Sequence, residues 1–492
     1  MKSLGEKCAI FGVFGHGLDV ARLTFFGLFA LQHRGQESSG IAVSDGVRIA
    51  SHRKMGLVTQ VYKEDTMRLL TGHIAIGHNR YSTSKTSTIK YAQPILGTAP
   101  LATAHNGNLP SVSALEKFLH SESIDTANKS DSELMTAAIN FHLEKGLPLP
   151  DAMMKSLPLF TGAFSFLAMD KTTLIAVRDQ CGIRPLSIGT LNGGFIFSSE
   201  TCALQTVGAT FLRDVEPGEM VIVDEQGLRS VQHAPADKKF DIFEFVYFAR
   251  PDSYIGGRSV YEMRRRCGTI LAKEYPVKAD VVVPVPETGI PAAIGYARAT
   301  GIPFEIGLVK NRYIYRTFIE PEEHLREQGV RAKLTPLPHI LKGKRVAILD
   351  DSIVRGTTSR EIVKLLFASG AKEVHFLVCC PPIRYPDFYG IDIPNQKKLL
   401  AFNRTVKEMN DFIGATSLHF LSYKGLIAAT GRPESTFCTA CFTGRYPIDI
   451  KERAADFTPQ DEKTRSEERK ERTSRILADV KLSKARRSTA RA

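Results

Sequence analysis

The sequence lacks an uninterrupted apolar run of the roughly 18 residues that a membrane-spanning helix needs. Its N-terminal apolar stretch, from Cys8 to Gly15, is short, contains two glycines and is followed by no small-residue cleavage site, so a secretory signal is not predicted. We therefore expect a cytoplasmic, reducing location. Cysteine is also scarce, and its eight copies are expected to be thiols or metal ligands rather than a disulfide framework.

Motifs of several other functional classes are missing as well. The chain contains no G-x-x-x-x-G-K-[ST] loop of nucleoside triphosphatases, no helix-turn-helix or zinc-finger pattern and no internal repeat. Its 492 residues exceed what one ordinary hydrophobic core holds, so two domains are expected. The composition, with 43% apolar and 24% charged residues, is that of a globular protein.

The net charge of +13 hints at a nucleic-acid partner, but the charge is unevenly distributed. Residues 451–492 carry 13 Lys and Arg against 8 Asp and Glu, and no aromatic residue follows Phe457. This composition predicts a disordered or partly helical tail. A solvated tail and a polyanion-binding tail both stay open. Nucleic-acid binding by the rest of the chain is not predicted.

Up to about residue 233, short apolar runs alternate with helical segments. Strands are predicted for the runs CAIFGVFG, GIAVSDG, HIAIGHNRYS, LATAHNGNL, AFSFLAMD, TLIAVRD, GGFIFSSE and EMVIVDE. Helices are predicted for LTFFGLFALQHRGQ and DSELMTAAINFHLEKG, the second capped by Ser130 or Asp131 and ended by Gly146. So many half-buried strands favour packed sheets with a few helices. The polar segment QHAPADKKF is interpreted as a linker.

After residue 240 the pattern changes to nearly continuous apolar strands separated by helices. The predicted strands are ADVVVPVPETG, PFEIGLVK, KRVAILDDS and KEVHFLVCC, with helices at IPAAIGYARAT and TTSREIVKLLFASG. This alternation is typical of a parallel sheet buried on both faces. Binding residues are then expected at the carboxyl ends of the strands.

The strongest local signal is the stretch KRVAILDDSIVRGTTSREIVKLL, in which a strand leads through a short loop into a helix. Gly356 would let a ligand approach the helix start, where free backbone N–H groups and the hydroxyls of Thr357, Thr358 and Ser359 would bind a phosphate. Asp350 and Asp351 would suit vicinal sugar hydroxyls or Mg²⁺. The pattern predicts a phosphorylated-sugar site; an ordinary strand–turn–helix with an acidic cap is the alternative.

A second strand end, VVVPVPETGIPAA, carries Glu287, Thr288 and Gly289 ahead of another helix. Alone, this stretch is as consistent with a plain loop as with a binding site. Together with the loop at Asp350 to Ser359, it suggests a binding site for a second anionic group. The stretch KNRYIYRTFIEPEEHLREQGVRAKL is rich in Arg, Lys and aromatic residues. It is interpreted either as a mobile loop that closes over an anionic substrate or as a charged surface loop.

ILDDSIVRGTTSR resembles the phosphoribosyl-pyrophosphate loop of type I phosphoribosyltransferases, and VPVPETG, KNRYIYRTFI, LREQGVRAKL and CFTGRYP resemble the amidophosphoribosyltransferase family in particular. The resemblance covers about residues 8–450, with the motifs in the family's order. It implies an N-terminal-nucleophile glutaminase domain, an αββα sandwich, followed by a phosphoribosyltransferase domain with a parallel sheet. The expected division is a propeptide at 1–7, a glutaminase domain at 8–235, a phosphoribosyltransferase domain at 240–450 and a tail at 451–492.

The resemblance gives Cys8 the role of nucleophile at the mature N-terminus. Its thiolate would attack the glutamine side-chain carbonyl, and its own α-amino group, which titrates near pH 8 in model peptides, would shuttle the proton. Because an amide nitrogen cannot take that role, residues 1–7 are expected to be removed.

Further glutaminase residues follow from matching motifs. In HNRYST, Arg80 and Thr83 would hold the glutamine α-carboxylate, and in SDSE, Asp131 would take its α-ammonium group. In HNGNL, Asn106 and Gly107 would form the oxyanion hole. Taken singly, Arg80 also fits a salt bridge, Asn106-Gly107 a hairpin turn and Cys8 a core position.

In the second domain, the resemblance implies that Asp350 and Asp351 contact the ribose hydroxyls and one Mg²⁺ ion, and that Thr288 faces the same ion from the pyrophosphate side. Phosphoribosyl pyrophosphate would be bound by residues of two loops: Glu287, Gly289, Arg355, Gly356, Thr357, Thr358 and Ser359. Ammonia from glutamine would displace pyrophosphate and give 5-phosphoribosylamine, the committed step of purine biosynthesis. The resemblance also implies a protected route for ammonia, feedback inhibition by purine nucleotides and a homo-oligomer.

The sequence departs from family members that hold a [4Fe–4S] cluster on four cysteines. Cys438 and Cys441 are retained, but Asp241 and Asp387 stand where the other two ligands would be. Carboxylates are poor substitutes for thiolates on such clusters, so no cluster is predicted. Recruitment of Cys379 and Cys380 is the alternative, although their strand context favours core positions.

Two rival functions stay open at this point. One is a regulator that binds phosphoribosyl pyrophosphate without turnover, which would have no use for the glutaminase residues. The other is a glutaminase fused to a different sugar-phosphate aminating enzyme, which the DDSIVRGTT loop disfavours.

Overall fold

The computed structural model of the protein describes residues 7–81, 88–311, 333–391, 393 and 395–456. Its first half is rich in strands, as the alternating apolar runs predict. The strands up to residue 232 are β1 Lys7–Phe14, β2 Ser38–Ser44, β3 Ile49–Met55, β4 Ile74–Tyr81, β5 Ile95–Leu96, β6 Ala102–Ser111, β7 Thr161–Met169, β8 Leu174–Arg178, β9 Ser187–Leu191, β10 Gly194–Ser198, β11 Thr210–Asp214, β12 Glu219–Asp224 and β13 Gly227–Gln232.

Helices connect these strands at a few points. They are α1 Val20–Ala30, α2 Val58–Val61, α3 Glu64–Arg68, α4 Ser113–Ser121, α5 Asp131–Glu144, α6 Leu149–Ser156 and α7 Thr201–Thr206. Ser130 is the N-cap of α5 and forms a capping box with Glu133, so of the two expected caps Ser130 is the one used. The helix predicted to run to Gln36 ends at Ala30.

The strands form two antiparallel sheets that stack face to face. The first has the order β11-β9-β10-β1-β4-β2-β3, and the second β13-β12-β8-β7-β6-β5. Apolar side chains from both sheets, such as Ile10, Ile76 and Leu167, share one core between them. The outer face of the first sheet packs against α1 and α7, and that of the second against α4, α5 and α6. This layering is the predicted αββα sandwich, which puts β1 in the middle of its sheet.

The second half contains a smaller set of strands. They are β14 Phe240–Asp241, β15 Tyr254–Ile255, β16 Arg258–Ser259, β17 Val281–Pro284, β18 Leu308–Lys310, β19 Leu334–Pro336, β20 Arg345–Asp350, β21 Glu373–Val378, β22 Ser417–Phe420 and β23 Phe437–Cys438. The helices are α8 Val260–Glu274, α9 Ile290–Thr300, α10 Pro338–Leu341, α11 Thr357–Ala368, α12 Val406–Ile413, α13 Tyr423–Thr430 and α14 Ala440–Thr443.

The central sheet of this half is parallel, as predicted, with the order β17-β20-β21-β22. Its inner strands are almost entirely buried because helices cover both faces. PFEIGLVK was expected to be a full strand, and this is wrong. The segment meets the sheet only at a bridge between Phe304 and Val282, and β18 then turns away to pair with β19 in a separate hairpin.

The tail expected from residue 451 begins with a short 3₁₀ helix, Lys451–Asp456. The Glu452 carboxylate accepts hydrogen bonds from the backbone N–H groups of Val112 and Ser113, at the start of α4. This part of the segment therefore contacts the first half of the chain, while residues 457–492 lie outside the described part. Within the described residues, no helix is both long and apolar enough to cross a bilayer.

Candidate functional sites

Cys8 lies at the beginning of β1 and is buried, with 1% of its surface exposed. Its partner in register on β4 is Arg80, which is also buried. The guanidinium of Arg80 lies over the Tyr91 ring, 5.0 Å from its centroid. The structure thus puts the predicted nucleophile and the predicted carboxylate-binding arginine side by side on neighbouring strands. Thr83, the other predicted glutamine-carboxylate ligand, lies outside the described residues.

Asn106 and Gly107 lie on β6, in the sheet that faces β1. Nδ2 of Asn106 is 3.5 Å from Oγ of Ser199, while its buried Oδ1 accepts no hydrogen bond from any residue the structure describes. Gly107 has no room for a side chain, because a Cβ there would overlap the carbonyl oxygen of Ala163 on β7. Only glycine therefore fits at this position.

Ser199 connects β1, which carries Cys8, to β6, the oxyanion strand that carries Asn106 and Gly107. Its Oγ accepts a 2.9 Å hydrogen bond from the backbone N–H of Ile10, two residues after Cys8, and lies within reach of the Asn106 amide. The sequence analysis did not identify Ser199. It lies 191 positions after Cys8 in the chain, and nothing around it in the sequence marks it as part of the site.

Asp131 is the first residue of α5 and points back toward β6. Its Oδ2 accepts a 3.1 Å hydrogen bond from the backbone N–H of Leu109, and its Oδ1 one of 2.7 Å from Ser132. His105 lies beside it, with Nδ1 3.0 Å from the Ser132 hydroxyl and 3.8 Å from Asp131 Oδ2. Burial lowers the pKa of His105 and thereby favours its neutral ring. His105 was missed by the sequence analysis although it belongs to the quoted HNGNL motif.

The second site lies where β20 ends and α11 begins. Gly356 is the N-cap of α11 and has a φ of +76°, which disfavours other residues, and a Cβ there would lie 2.7 Å from the Leu400 side chain. Ser359 is buried in the first turn of α11, whereas Arg355 and Thr358 are exposed. Thr357 opens the helix. The loop thus presents free N–H groups and hydroxyls at a helix start, which is an anion-binding arrangement.

The loop after β17 lies next to this one because β17 and β20 are adjacent parallel strands. The hydroxyl of Thr288 donates to the Asp351 carboxylate, and a Cβ on Gly289 would come within 2.5 Å of the Leu349 carbonyl oxygen. The Pro286–Glu287 peptide is cis, and Glu287 lies 3.7 Å from Lys310 Nζ. The two predicted loops therefore share one strand edge.

Asp350 and Asp351 are both buried at the carboxyl end of β20, with 8% and 6% of their surfaces exposed. Burial and the neighbouring Asp351 raise the pKa of Asp350 well above its usual value. Asp351 accepts a 2.6 Å hydrogen bond from the Ser352 hydroxyl. Two adjacent carboxylates and a threonine hydroxyl form an all-oxygen donor set, which fits Mg²⁺. Residues 312–332, which hold most of the expected closing loop, lie outside the described part.

The two halves of the chain contact each other near the oxyanion strand. Nδ2 of Asn108 donates a buried 2.8 Å hydrogen bond to the carbonyl oxygen of Phe388. Gly390 is so close to Gly107 that a Cβ would lie 3.0 Å from its Cα. Farther along the same boundary, Arg34 forms buried ion pairs with Glu200 and with Glu244.

The four positions that correspond to the iron–sulfur ligands of other family members lie together in the interior. They are Asp241, Asp387, Cys438 and Cys441, and all four are buried. Asp241 is the register partner of Cys438 in the β14–β23 pair. Burial and Asp387 raise the pKa of Asp241, and burial with both carboxylates nearby raises those of the two thiols. Asp387 already accepts hydrogen bonds from the N–H groups of Tyr389 and Ile391. Two carboxylates in place of thiolates, one of them already bound to backbone N–H groups, do not fit a [4Fe–4S] cluster.

Comparison with known proteins finds domains of both kinds in the chain. Family models match a glutamine amidotransferase domain at residues 78–206 and a phosphoribosyl transferase domain at residues 259–388. An amidophosphoribosyltransferase from Synechococcus elongatus is 48% identical over 455 residues, covering 91% of this chain and 92% of the relative. The Bacillus subtilis enzyme of the same name is 44% identical over 462 residues, covering 92% and 96%.

Two solved structures share the fold over most of their length. One is glutamine phosphoribosylpyrophosphate amidotransferase from B. subtilis complexed with ADP and GMP, with a TM-score of 0.84, 44% identity and coverage of 90% of this chain and 98% of that one. The other, described as the allosteric regulatory enzyme of purine biosynthesis, has a TM-score of 0.85 at 44% identity, covering 90% and 97%. The chain therefore belongs to the amidophosphoribosyltransferase family, which hydrolyses glutamine and transfers the ammonia to phosphoribosyl pyrophosphate in purine biosynthesis.

Proposed function

We propose that glutamine is hydrolysed at Cys8 and that the two halves of the reaction are divided between the two sites described above. The observation that carries this assignment is the convergence of Cys8, Arg80, Asn106 and Gly107 on facing strands, separate from the anion-binding loops after β17 and β20. Residues 8–235 would form the glutaminase domain and residues 240–450 the phosphoribosyltransferase domain, after removal of residues 1–7.

In the first site, the Cys8 sulfur attacks the side-chain carbonyl of glutamine, and the Nδ2 of Asn106 and the N–H of Gly107 stabilise the oxyanion. The α-amino group of Cys8, freed by removal of residues 1–7, carries the proton to the departing ammonia. Water then hydrolyses the thioester to glutamate. Arg80 and Thr83 hold the substrate carboxylate and Asp131 its ammonium group, which fits the orientation of Asp131 toward β6.

In the second site, the helix start at Arg355, Gly356, Thr357, Thr358 and Ser359 holds the 5′-phosphate. Asp350 and Asp351 accept hydrogen bonds from the ribose hydroxyls, and the loop of Glu287, Thr288 and Gly289 faces the pyrophosphate. Ammonia attacks the anomeric carbon as the bond to pyrophosphate breaks, giving 5-phosphoribosylamine. A Mg²⁺ ion bound by Asp350, Asp351 and Thr288 would neutralise charge on the leaving pyrophosphate.

The Cys8→Ala variant tests the division of labour. It should lose glutamine-dependent release of pyrophosphate while keeping ammonia-dependent release, because the second site is separate. Loss of both activities in a folded variant contradicts the two-site assignment. Phosphoribosyl pyrophosphate binding without pyrophosphate release from either nitrogen source would favour the rival sensor function. Intact mass of the purified protein tests the removal of residues 1–7.

The remaining proposals concern cofactors and partners. The cluster of Asp241, Asp387, Cys438 and Cys441 is proposed to hold no [4Fe–4S] cluster, and about four irons with labile sulfide per chain would contradict this. Purine nucleotides are proposed as feedback inhibitors, since the B. subtilis relative was solved with ADP and GMP. A homo-oligomer is proposed and is tested by light scattering. A cytoplasmic location stays a prediction.

A further inference from the structure

Two histidines and a glutamate meet at the end of the sandwich that is farthest along β1 from Cys8. His16 lies in the turn after β1, His73 just before β4 and Glu225 in the hairpin between β12 and β13. Nε2 of His16 is 2.7 Å from Glu225 Oε1. The rings of His16 and His73 stack with centroids 4.4 Å apart and an angle of 12° between their planes.

The position of His73 is fixed by its surroundings. Its backbone N–H donates to the Ser44 carbonyl at 3.0 Å, and its own carbonyl accepts from the Gly15 N–H at 2.8 Å. Phe14 packs edge-on against both imidazole rings, at centroid distances of 6.1 and 5.8 Å. His73 is therefore held by the backbone of two strands and an aromatic wall, independently of any ligand.

The Nε2 atom of His73 is buried and has no hydrogen-bond partner among the residues that the structure describes. A buried imidazole nitrogen without a partner is costly unless something else occupies its lone pair. His16 and Glu225, in contrast, are 60% and 66% exposed, so the group is open to solvent on one side. One ligand atom from each of the three residues lies within 4.8 Å of the others.

We propose that His16, His73 and Glu225 form a binding site for a divalent transition-metal ion, with Zn²⁺ as the representative ion. Two imidazoles and one carboxylate are a donor set that such ions prefer over Mg²⁺ or Ca²⁺. The stacked rings hold their in-plane lone pairs nearly parallel, so binding requires the exposed His16 ring to turn out of the stack. Glu225 must also exchange its hydrogen bond with His16 for a bond to the ion, while His73 stays fixed. Water from the open side completes the coordination.

The ion would link the two sheets of the sandwich. His16 and His73 extend from the first sheet, whereas Glu225 belongs to the hairpin of the second. Along β1 the site is eight residues from Cys8, or about 25 Å at the usual rise per residue. Metal binding here is thus separate from the thiol chemistry of the glutaminase site and from the Mg²⁺ proposed for the second domain.

Calorimetric titration of the full-length, chelator-treated protein with Zn²⁺ at pH 7.5 tests the site. The wild-type protein should bind one equivalent that His73→Ala, His16→Ala and Glu225→Gln weaken by at least about 100-fold, more than loss of an outer-shell partner. His339→Ala, which removes an exposed histidine of the second domain, should leave that equivalent intact. Titration with Co²⁺ should give visible absorption that depends on the same three residues.

A thermal readout separates this site from binding to cysteines elsewhere. Zn²⁺ should raise the Tm of the wild-type protein and of His339→Ala by a few degrees, but not that of His16→Ala, because only the native sandwich presents all three ligands. Equal stoichiometry and affinity in the wild-type protein and the His16→Ala/His73→Ala variant would overturn the proposal. His16→Ala and Glu225→Gln alter exposed side chains, so they decide the matter even if His73→Ala does not fold.

Discussion

Gly390 of the phosphoribosyltransferase half lies directly against Gly107 on the oxyanion strand of the glutaminase half. A Cβ on Gly390 would come within 3.0 Å of both Cα and the carbonyl carbon of Gly107. Next to this contact, Asn108 Nδ2 donates to the Phe388 carbonyl oxygen at 2.8 Å. The turn around Phe388–Gly390 therefore supports the backbone segment that is proposed to stabilise the oxyanion.

Replacing Gly390 by alanine should impair glutamine hydrolysis specifically. The new methyl group would displace the Gly107 backbone, and a small displacement of an oxyanion donor is costly in rate. We expect kcat/KM for glutamine to fall by at least about tenfold, which corresponds to roughly 1.4 kcal/mol of transition-state stabilisation. Ammonia-dependent synthesis should change little. Steady-state kinetics with each nitrogen source measures the difference.

Gly414→Ala is the matched control for the backbone strain. Gly414 also has a positive φ, +79°, but a Cβ there meets nothing within 4 Å. Both substitutions force alanine into a conformation that favours glycine, at a cost of about 1–2 kcal/mol. If Gly414→Ala reduces glutamine hydrolysis as much as Gly390→Ala does, the contact with Gly107 is not the cause.

Removing the Ser199 hydroxyl should also slow glutamine hydrolysis. The hydroxyl bridges the Ile10 N–H to the Asn106 side chain, so Ser199→Ala loosens both the nucleophile strand and an oxyanion donor. We expect kcat with glutamine to fall by about tenfold or more, with a smaller change in KM.

Ser198→Ala controls for loss of a buried hydroxyl on the same segment. The Ser198 hydroxyl donates to the Glu200 carbonyl oxygen rather than to the site. Near-normal kinetics are expected of this variant. An unchanged kcat in Ser199→Ala would show that Asn106 is positioned without Ser199.

Asp241→Asn should stabilise the protein at alkaline pH. Burial and Asp387 raise the pKa of Asp241 above its unfolded value near 4, so the folded state binds the proton more tightly. Stability is then lost as the pH rises from about 4 through the folded pKa, and asparagine removes that loss. The Tm of Asp241→Asn should exceed the wild-type value by a few degrees at pH 8, and the difference should disappear toward pH 4. A lower Tm at pH 8 would contradict the prediction.

Asp280→Asn should show the opposite sign. Hydrogen bonds from the Arg345 side chain and backbone lower the pKa of Asp280, so its contribution is present above pH 4 and is lost as the pH falls through the folded pKa. The Tm of this variant should be lower than the wild-type value at pH 7, by a small amount because Asp280 is solvent-accessible, and the difference should disappear in strongly acidic buffer. The two variants together separate a pH effect from a general effect of asparagine.

Much of the fold and of both sites was predictable because the relevant signals are local in sequence. The parallel sheet follows from continuous apolar strands, and the run from Asp350 to Ser359 carries acids, glycine and hydroxyls within ten positions. The two-layer sandwich follows from the alternating runs. The family comparisons confirm the function that these motifs implied.

What the sequence did not reveal depends on contacts between distant segments. Ser199 joins the glutaminase site through a strand end, and the Asn108–Phe388 hydrogen bond spans 280 positions. His16, His73 and Glu225 each lie in an ordinary turn, and only the closure of the sandwich brings them together. β18 was misjudged because the apolar run around Phe304 and Leu308 does not show that the chain leaves the sheet after one bridge.

The buried ion pair between Arg34 and Glu244 should hold the two domains together. Glu244 is fully buried, accepts a hydrogen bond from Arg34 at 2.5 Å and forms an ion pair with Arg184 at 2.8 Å. Glu244→Gln leaves Arg34 with Glu200 alone and removes the close counter-charge of the buried Arg184, and breaking a buried pair in this way typically costs about 3–5 kcal/mol. We therefore expect a large drop in the unfolding free energy and fewer molecules of 5-phosphoribosylamine formed per glutamine hydrolysed.

Asp252→Asn, which breaks the half-exposed ion pair with Arg250, is the control and should lower the unfolding free energy by about 1 kcal/mol or less. Chemical denaturation measures the unfolding free energy of both variants, and equal losses in the two would contradict the prediction.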